Sequence, residues 1–267
     1  MSAGTIARKD IADAGRSKAL WAVTLSVVLF TAGITALLGV VGRQSTTEVF
    51  KLAFQSAASV LPIVALFLAK GAITGERESG SIRLLLSLPP SRRDILVGKL
   101  VGRTSLMLVA ALVGGVATAV VVVALLGGGL TLLVPFIGFL CLMGISFVAV
   151  GIGISAASAS DRRASAYAVG LYMVLVALWS LIYASLQAGA SWLGLADAGS
   201  QPVWLQFLDI LPPHRAAIAA FEAAVDGGGV FAADPFASAW LPTLVLLAWF
   251  AVPVAGGYLR FQNAEIE

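Results

Sequence analysis

Six stretches of about 20 apolar residues punctuate this chain, and none of them contains Asp, Glu, Lys or Arg. They occupy residues 20–41, 52–69, 106–126, 132–155, 166–186 and 241–259. A helix rising about 1.5 Å per residue needs about 20 such residues to cross a hydrocarbon layer about 30 Å thick. Each stretch therefore predicts one membrane-spanning helix, and the fold class is all-α and polytopic. A charge at mid-bilayer costs several kcal/mol, so all 31 charged side chains are expected in loops or at helix ends. With 59% hydrophobic and 12% charged residues, the 267-residue chain is neither disordered nor a nucleic-acid binder. The first span is too long for the apolar region of a signal peptide and is expected to remain as an anchor.

Basic residues divide unevenly between the two sides defined by these spans. Fourteen fall on the side that holds both termini, and only Arg43, Lys51 and Arg215 fall on the other. The positive-inside rule then predicts that both termini are cytoplasmic, in a multi-pass protein of the plasma membrane contacting lipid on all sides.

Several chemistries are absent from the sequence. Cys141 is the single cysteine, so neither an internal disulfide nor a four-cysteine zinc site is available. No G-x-x-x-x-G-K-[ST] loop exists to cradle a nucleotide, because Leu100 follows the only Gly-Lys pair, Gly98-Lys99. No carboxylate within a span offers a proton relay. His214, the only histidine, reads as an interfacial helix-start residue and excludes a histidine-based zinc protease motif. Cys141, Met107, Met143 and Met173 are soft metal ligands within spans, but Cys141 and Met143 are two residues apart and point to different helix faces. Packing or lipid contact accounts for them. Gly114, Gly115, Gly144, Gly151 and Gly153 predict close helix contact or local bending, and Pro62 and Pro253 are candidate kinks. No catalytic, cofactor-binding or metal-binding residue emerges.

The chain reads as a single transmembrane domain, 1–267, with four pieces outside the spans. Residues 1–19 contain TIARKDIADAGRSK, either a short helix on the membrane surface or a basic tether. Residues 75–105 form the longest loop on the cytoplasmic side: an acidic start, an apolar helical stretch, the Pro89-Pro90 break, a basic turn at Arg92 and Arg93, and a helix running through Lys99 into the third span. This pattern makes either a stiff lever attached to two spans or an interfacial hairpin. Residues 156–165 form a short turn carrying Asp161, Arg162 and Arg163. Residues 187–240 lie on the opposite side, where Pro212-Pro213 opens a helix with Ile218, Phe221 and Val225 on one face, and Trp192, Trp204 and Trp240 suit a lipid boundary.

The segment E-R-E-S-G-S-I-R-L-L-L-S-L-P-P-S-R-R-D-I-L-V-G-K, beginning at Glu76, resembles the first cytoplasmic loop of ABC-2-type permeases, the six-span membrane subunits of ATP-binding-cassette transporters. The N-terminal basic segment resembles the family's connecting helix. The S-A-S-D-R-R-A-S turn resembles its second cytoplasmic loop, and residues 211–225 resemble its external helix. Within the family, the chain is most similar to permeases of multi-copper enzyme maturation, the nitrous oxide reductase accessory type, although it carries no clear copper-binding cluster.

The resemblance implies a type 2 exporter-like permease fold, in a homodimer or a heterodimer with a related permease, bound to separate ATPase subunits that hold ATP and Mg. The loop would form gate and coupling helices, with Glu76, Arg77, Glu78, Gly80, Arg92, Arg93, Asp94, Lys99, Asp161, Arg162 and Arg163 as the coupling contacts. Expected functions are ATP-driven export of a substrate or, alternatively, mechanical transmission to an extracytoplasmic accessory protein without cargo.

Overall fold

The computed structural model describes residues 3–15, 18–42, 44–78, 91–197, 200–226 and 234–263. All regular structure among them is helical: α1 (Ala3–Gly15), α2 (Lys18–Val28), α3 (Ile34–Val41), α4 (Thr46–Ala69), α5 (Thr74–Glu78), α6 (Arg92–Leu126), α7 (Leu133–Ala157), α8 (Asp161–Tyr172), α9 (Trp179–Trp192), α10 (Val203–Ile210), α11 (Pro213–Val225) and α12 (Trp240–Asn263). Five spans meet the length and apolarity needed to cross a bilayer, and α8 with α9 make a sixth if counted as one span. The first span joins α2 to α3 through a wide π turn at Leu29–Gly33.

The fifth span departs from the expected single helix. A π turn at Met173–Ala177 interrupts it, and its two halves bend by 54°. The break leaves Ser180 and the bent backbone near α4 and α11, where they line a cavity. Pro89-Pro90 and the apolar stretch before it lie outside the described residues.

The Ser91 side chain caps α6 and exchanges a reciprocal bond with Asp94, so the helix starts at once after the loop. At 35 residues it is about 52 Å long, well beyond the roughly 30 Å of hydrocarbon. Its first turns are therefore a stem outside the membrane. Gly127, at φ 67°, ends it in the left-handed cap that glycine adopts without strain.

Small residues seat the spans against one another, as the glycine pattern predicts. A Cβ on Gly114 would lie 2.6 Å from Val27, one on Gly144 2.8 Å from Met107, and one on Gly151 2.7 Å from the Ala69 Cβ. Gly257 and Gly153 bring α12 and α7 nearly backbone to backbone. Hydroxyls add links within lipid: Ser146 donates to the Leu246 carbonyl at 3.0 Å, and Thr31 to that of Gly114 at 3.3 Å.

Of the two readings open for the N-terminal segment, the structure shows a helix. Ile6 and Asp10 are buried against α6, whereas Ile11 faces outward. Gly98 and Gly102 make this possible, because a Cβ at either would meet Ile6 or Asp10 at 2.7 Å. The sequence hides this arrangement because the buried partner of Ile6 is a carboxylate.

Candidate functional site

The short helix α5 begins just past the second span, where the long loop starts, and four other segments converge on it. The Ser155 hydroxyl, at the end of α7, accepts the backbone N–H groups of Ile73 (3.0 Å) and Thr74 (3.2 Å). These donors at the helix start would otherwise be orphaned. The Thr74 hydroxyl donates to the Asp161 carboxylate at 3.2 Å. Lys70, in the turn before α5, reaches the same carboxylate at 2.8 Å and the Ser165 hydroxyl at 2.6 Å. The opening turn of α8 is thereby fixed to the end of the second span.

A second set of charges holds the other end of α5. The Glu76 carboxylate lies 2.6 Å from Lys99 Nζ, and Lys99 lies 2.9 Å from Asp10 on α1. Arg103 Nε lies 2.9 Å from the other Asp10 oxygen. Asp10 is 4% exposed and Lys99 8%. Two carboxylates and two cations thus neutralise one another with little water between them, which lets such charges remain buried. Together the two sets connect α5 with α1, α6, α7 and α8.

The eleven residues expected at the coupling face divide according to this geometry. Glu76, Lys99 and Asp161 are engaged in the internal ties just described. Asp94 belongs to the α6 capping box. Arg92 donates to the Phe261 and Gln262 carbonyls and lies over the Phe261 ring, so it closes the C-terminal end of α12. Arg93, Arg162 and Arg163 are exposed. Arg77 and Glu78 complete the α5 backbone, but their side chains lie outside the described residues, as does Gly80.

Sequence reasoning missed Asp10, Lys70, Thr74, Ser155, Ser165 and Arg103 as members of this face. The available signal for Asp10 was its place four residues after Ile6, on the same helix face. Nothing in the sequence marks Ser155, whose role depends on tertiary proximity.

The opposite end of the bundle is held differently. Phe54 and Phe221 stack with centroids 4.6 Å apart, and Phe136 meets Phe221 edge-on at 5.8 Å. These rings pin α11 to α4 and α7. Trp249 Nε1 donates to the Leu211 carbonyl at 2.8 Å, fastening the approach to α11 onto α12. Asp209 accepts from Arg215 through Nε and a terminal nitrogen, at 3.1 and 2.7 Å. His214 stands in the first turn of α11 and is buried, and burial, reinforced by the Arg215 charge, pushes its pKa down to about 4. With Arg215, Gln55, Ser56, Ser59 and Ser180 it lines a polar cavity of about 320 Å³ beside the break in the fifth span. Trp192, Leu193, Leu195, Val203 and Trp204 are exposed on the same outer segment, Trp192 at 86%.

Among the described residues no group of three or more His, Cys, Asp or Glu side chains could hold a metal ion. Half-buried Cys141 and buried Met143 pack within α7.

Comparison with known proteins agrees with the helical architecture. Residues 4–266 match the ABC-2 family transporter protein model. The chain is 32% identical to the "probable ABC transporter permease protein NosY" of Pseudomonas aeruginosa, over 98% of each chain. It is 30% identical to the protein of the same name from Stutzerimonas stutzeri, over 97% of each. A multi-pass bundle matched by this family across nearly its whole length belongs to the ABC-2 transporter family and is the permease of an ABC transporter.

Proposed function

We propose that this permease couples ATP hydrolysis by a separate nucleotide-binding subunit to export of a substrate, with both termini and the α5 end of the bundle in the cytoplasm. ATP and Mg belong to that partner, and the permease works as a homodimer or with a related permease. The observation that carries this reading is the convergence on α5: a displacement of the loop at Glu76 bears directly on α1 and α6, and one at Thr74 on α7 and α8. A push on the loop is thus shared among spans instead of being absorbed by one flexible connection.

In this reading the charged residues have two roles. Exposed Arg93, Arg162 and Arg163 meet the ATPase subunit, where rim charges set register and orientation. Glu76, Lys99 and Asp161 transmit the movement inward, and Arg92 and Asp94 hold the stem in place. Arg77, Glu78 and Gly80 complete the docking face. The polar cavity beside Ser180 and His214 favours passage of a polar cargo.

A second reading has its own support. The exposed apolar residues from Trp192 to Trp204 suit an extracytoplasmic accessory protein on which the same motion does mechanical work, without cargo. The relatives are named as permeases, and their names specify no cargo.

Co-purification of the detergent-solubilised permease with its ATPase subunit tests the docking role. The combined Arg93→Glu, Arg162→Glu and Arg163→Glu changes should release the ATPase while leaving insertion and thermal stability intact. Undiminished retention would overturn the assignment.

A further inference from the structure

A groove of about 430 Å³ opens between α7, α8 and α12 at their termini-side ends. Its lining is apolar along most of its length, with Val150, Ile154, Leu171 and Pro253 on its walls and Gly153, Gly256 and Gly257 as a floor without side chains. Tyr167 and Arg260 also line it. Arg260 sits in the last turn of α12, is exposed, and has no hydrogen-bond or ion-pair partner among the described residues. Arg163, Tyr167 and Leu171 recur at intervals of four on α8, so a second guanidinium lies one turn beyond Tyr167 on the groove's side.

We propose that this groove binds an anionic phospholipid of the leaflet facing the termini, one acyl chain lying over the glycine floor and the headgroup phosphate at Arg260. Charge complementarity selects this occupant. An apolar channel between spans has hydrocarbon as its surroundings, and an exposed arginine at its polar end matches a phosphodiester. The open side of Gly256, where a Cβ would meet nothing within 4 Å, leaves space that a chain of methylenes fills without displacing a side chain. Zwitterionic lipid offers the same tails without net negative charge, so the site discriminates by headgroup. This inference depends on the spans and not on the transport reading.

Two substitutions separate the apolar and charged halves of the site. A Cβ at Gly256 meets nothing within 4 Å, so Gly256→Leu fills the groove without a backbone clash and removes a helix-weakening glycine. Arg260→Gln removes the charge and keeps a long polar side chain. The experiment is native mass spectrometry of the full chain from micelles containing equal amounts of phosphatidylglycerol and phosphatidylcholine, with soluble glycerol 3-phosphate added in one arm.

The wild-type chain should retain phosphatidylglycerol at least about fivefold over phosphatidylcholine. Arg260→Gln should abolish the preference, Gly256→Leu should lower retention, and glycerol 3-phosphate should not displace the lipid. Equal retention of both lipids, a preference that survives both variants, or displacement by soluble glycerol 3-phosphate would overturn the proposal. So would a Gly256→Leu change that converts a dimer to monomer without altering lipid adducts, since the groove would then be covered by a second copy.

Discussion

The two ends of the bundle hold their peripheral helices by different physics. At the α5 end, ionic and hydrogen-bonded contacts join residues far apart in the chain: Asp10 with Lys99 and Arg103, Glu76 with Lys99, and Lys70 and Thr74 with Asp161. At the opposite end, α11 is held by stacked aromatic rings, with a local ion pair between Asp209 and Arg215 and a partly solvated one between Lys51 and Asp226. Long-range polar ties break as units when geometry changes, because a buried charge cannot simply lose its partner. Aromatic packing is less directional and tolerates small rotations. The α5 end is therefore suited to passing on a defined displacement, and the α11 end to keeping a helix seated while the spans beneath it tilt.

This contrast is sharpest at Lys99. Lys99→Met leaves Asp10 and Glu76 short of a cation and should cost about 3–5 kcal/mol, the range for breaking a buried ion pair from one side. Adding Glu76→Gln to it, which leaves Asp10 paired with Arg103, should restore part of that loss, read as thermal unfolding in detergent. If the single change costs less than about 1 kcal/mol, the cluster is effectively solvated and the contrast fails.

Phe221→Ala removes the ring shared by Phe54 and Phe136 and should cost about 3 kcal/mol, the lower part of the range for large core truncations. Its effect should add to that of Lys99→Met, since the two sites share no partner. A strong coupling energy between them would show that the two ends respond as one unit.

Acid should weaken the α11 end through His214. The folded chain keeps this imidazole neutral down to about pH 4, whereas the unfolded chain protonates it near its ordinary pKa of about 6.5. Between those values the unfolded state binds more protons, so stability falls as pH falls from 6.5 toward 4. The expected contribution is about 2 kcal/mol lost between pH 7 and pH 5, at about 1.4 kcal/mol per pH unit. His214→Gln should flatten that part of the pH profile, and an unchanged slope would assign it to other groups.

Lys51 should matter least. It bonds Asp226 at the surface, and Lys51→Ala should cost less than about 1 kcal/mol, shrinking further with added salt. A larger loss would mean that surface pairs also hold the α11 end.

What the sequence reveals follows the same division. Apolar run length dictates the spans, since the bilayer thickness is fixed and charge within it is costly, and the proline pair at Pro212-Pro213 marks the start of α11 correctly. The small-residue contacts at Gly114, Gly144 and Gly151 are likewise legible. The break in the fifth span is not, because Met173–Ala177 is as apolar as any continuous helix and no proline or glycine marks it. At the coupling face, charge and position single out Arg93, Arg162 and Arg163 as well as Lys99 and Glu76. Only tertiary structure separates the exposed group from the paired one, because Lys99 finds its partner Asp10 across 89 positions.

The most direct measurement is ATP hydrolysis and ATPase retention in the reconstituted assembly, comparing the combined Arg93→Glu, Arg162→Glu and Arg163→Glu chain with Lys99→Met. The account predicts that the triple reversal loses the ATPase subunit, whereas Lys99→Met, assayed below its own unfolding temperature, retains the subunit but loses the permease's control over its hydrolysis rate. Retention by the triple reversal, or wild-type control of hydrolysis in Lys99→Met, would contradict it.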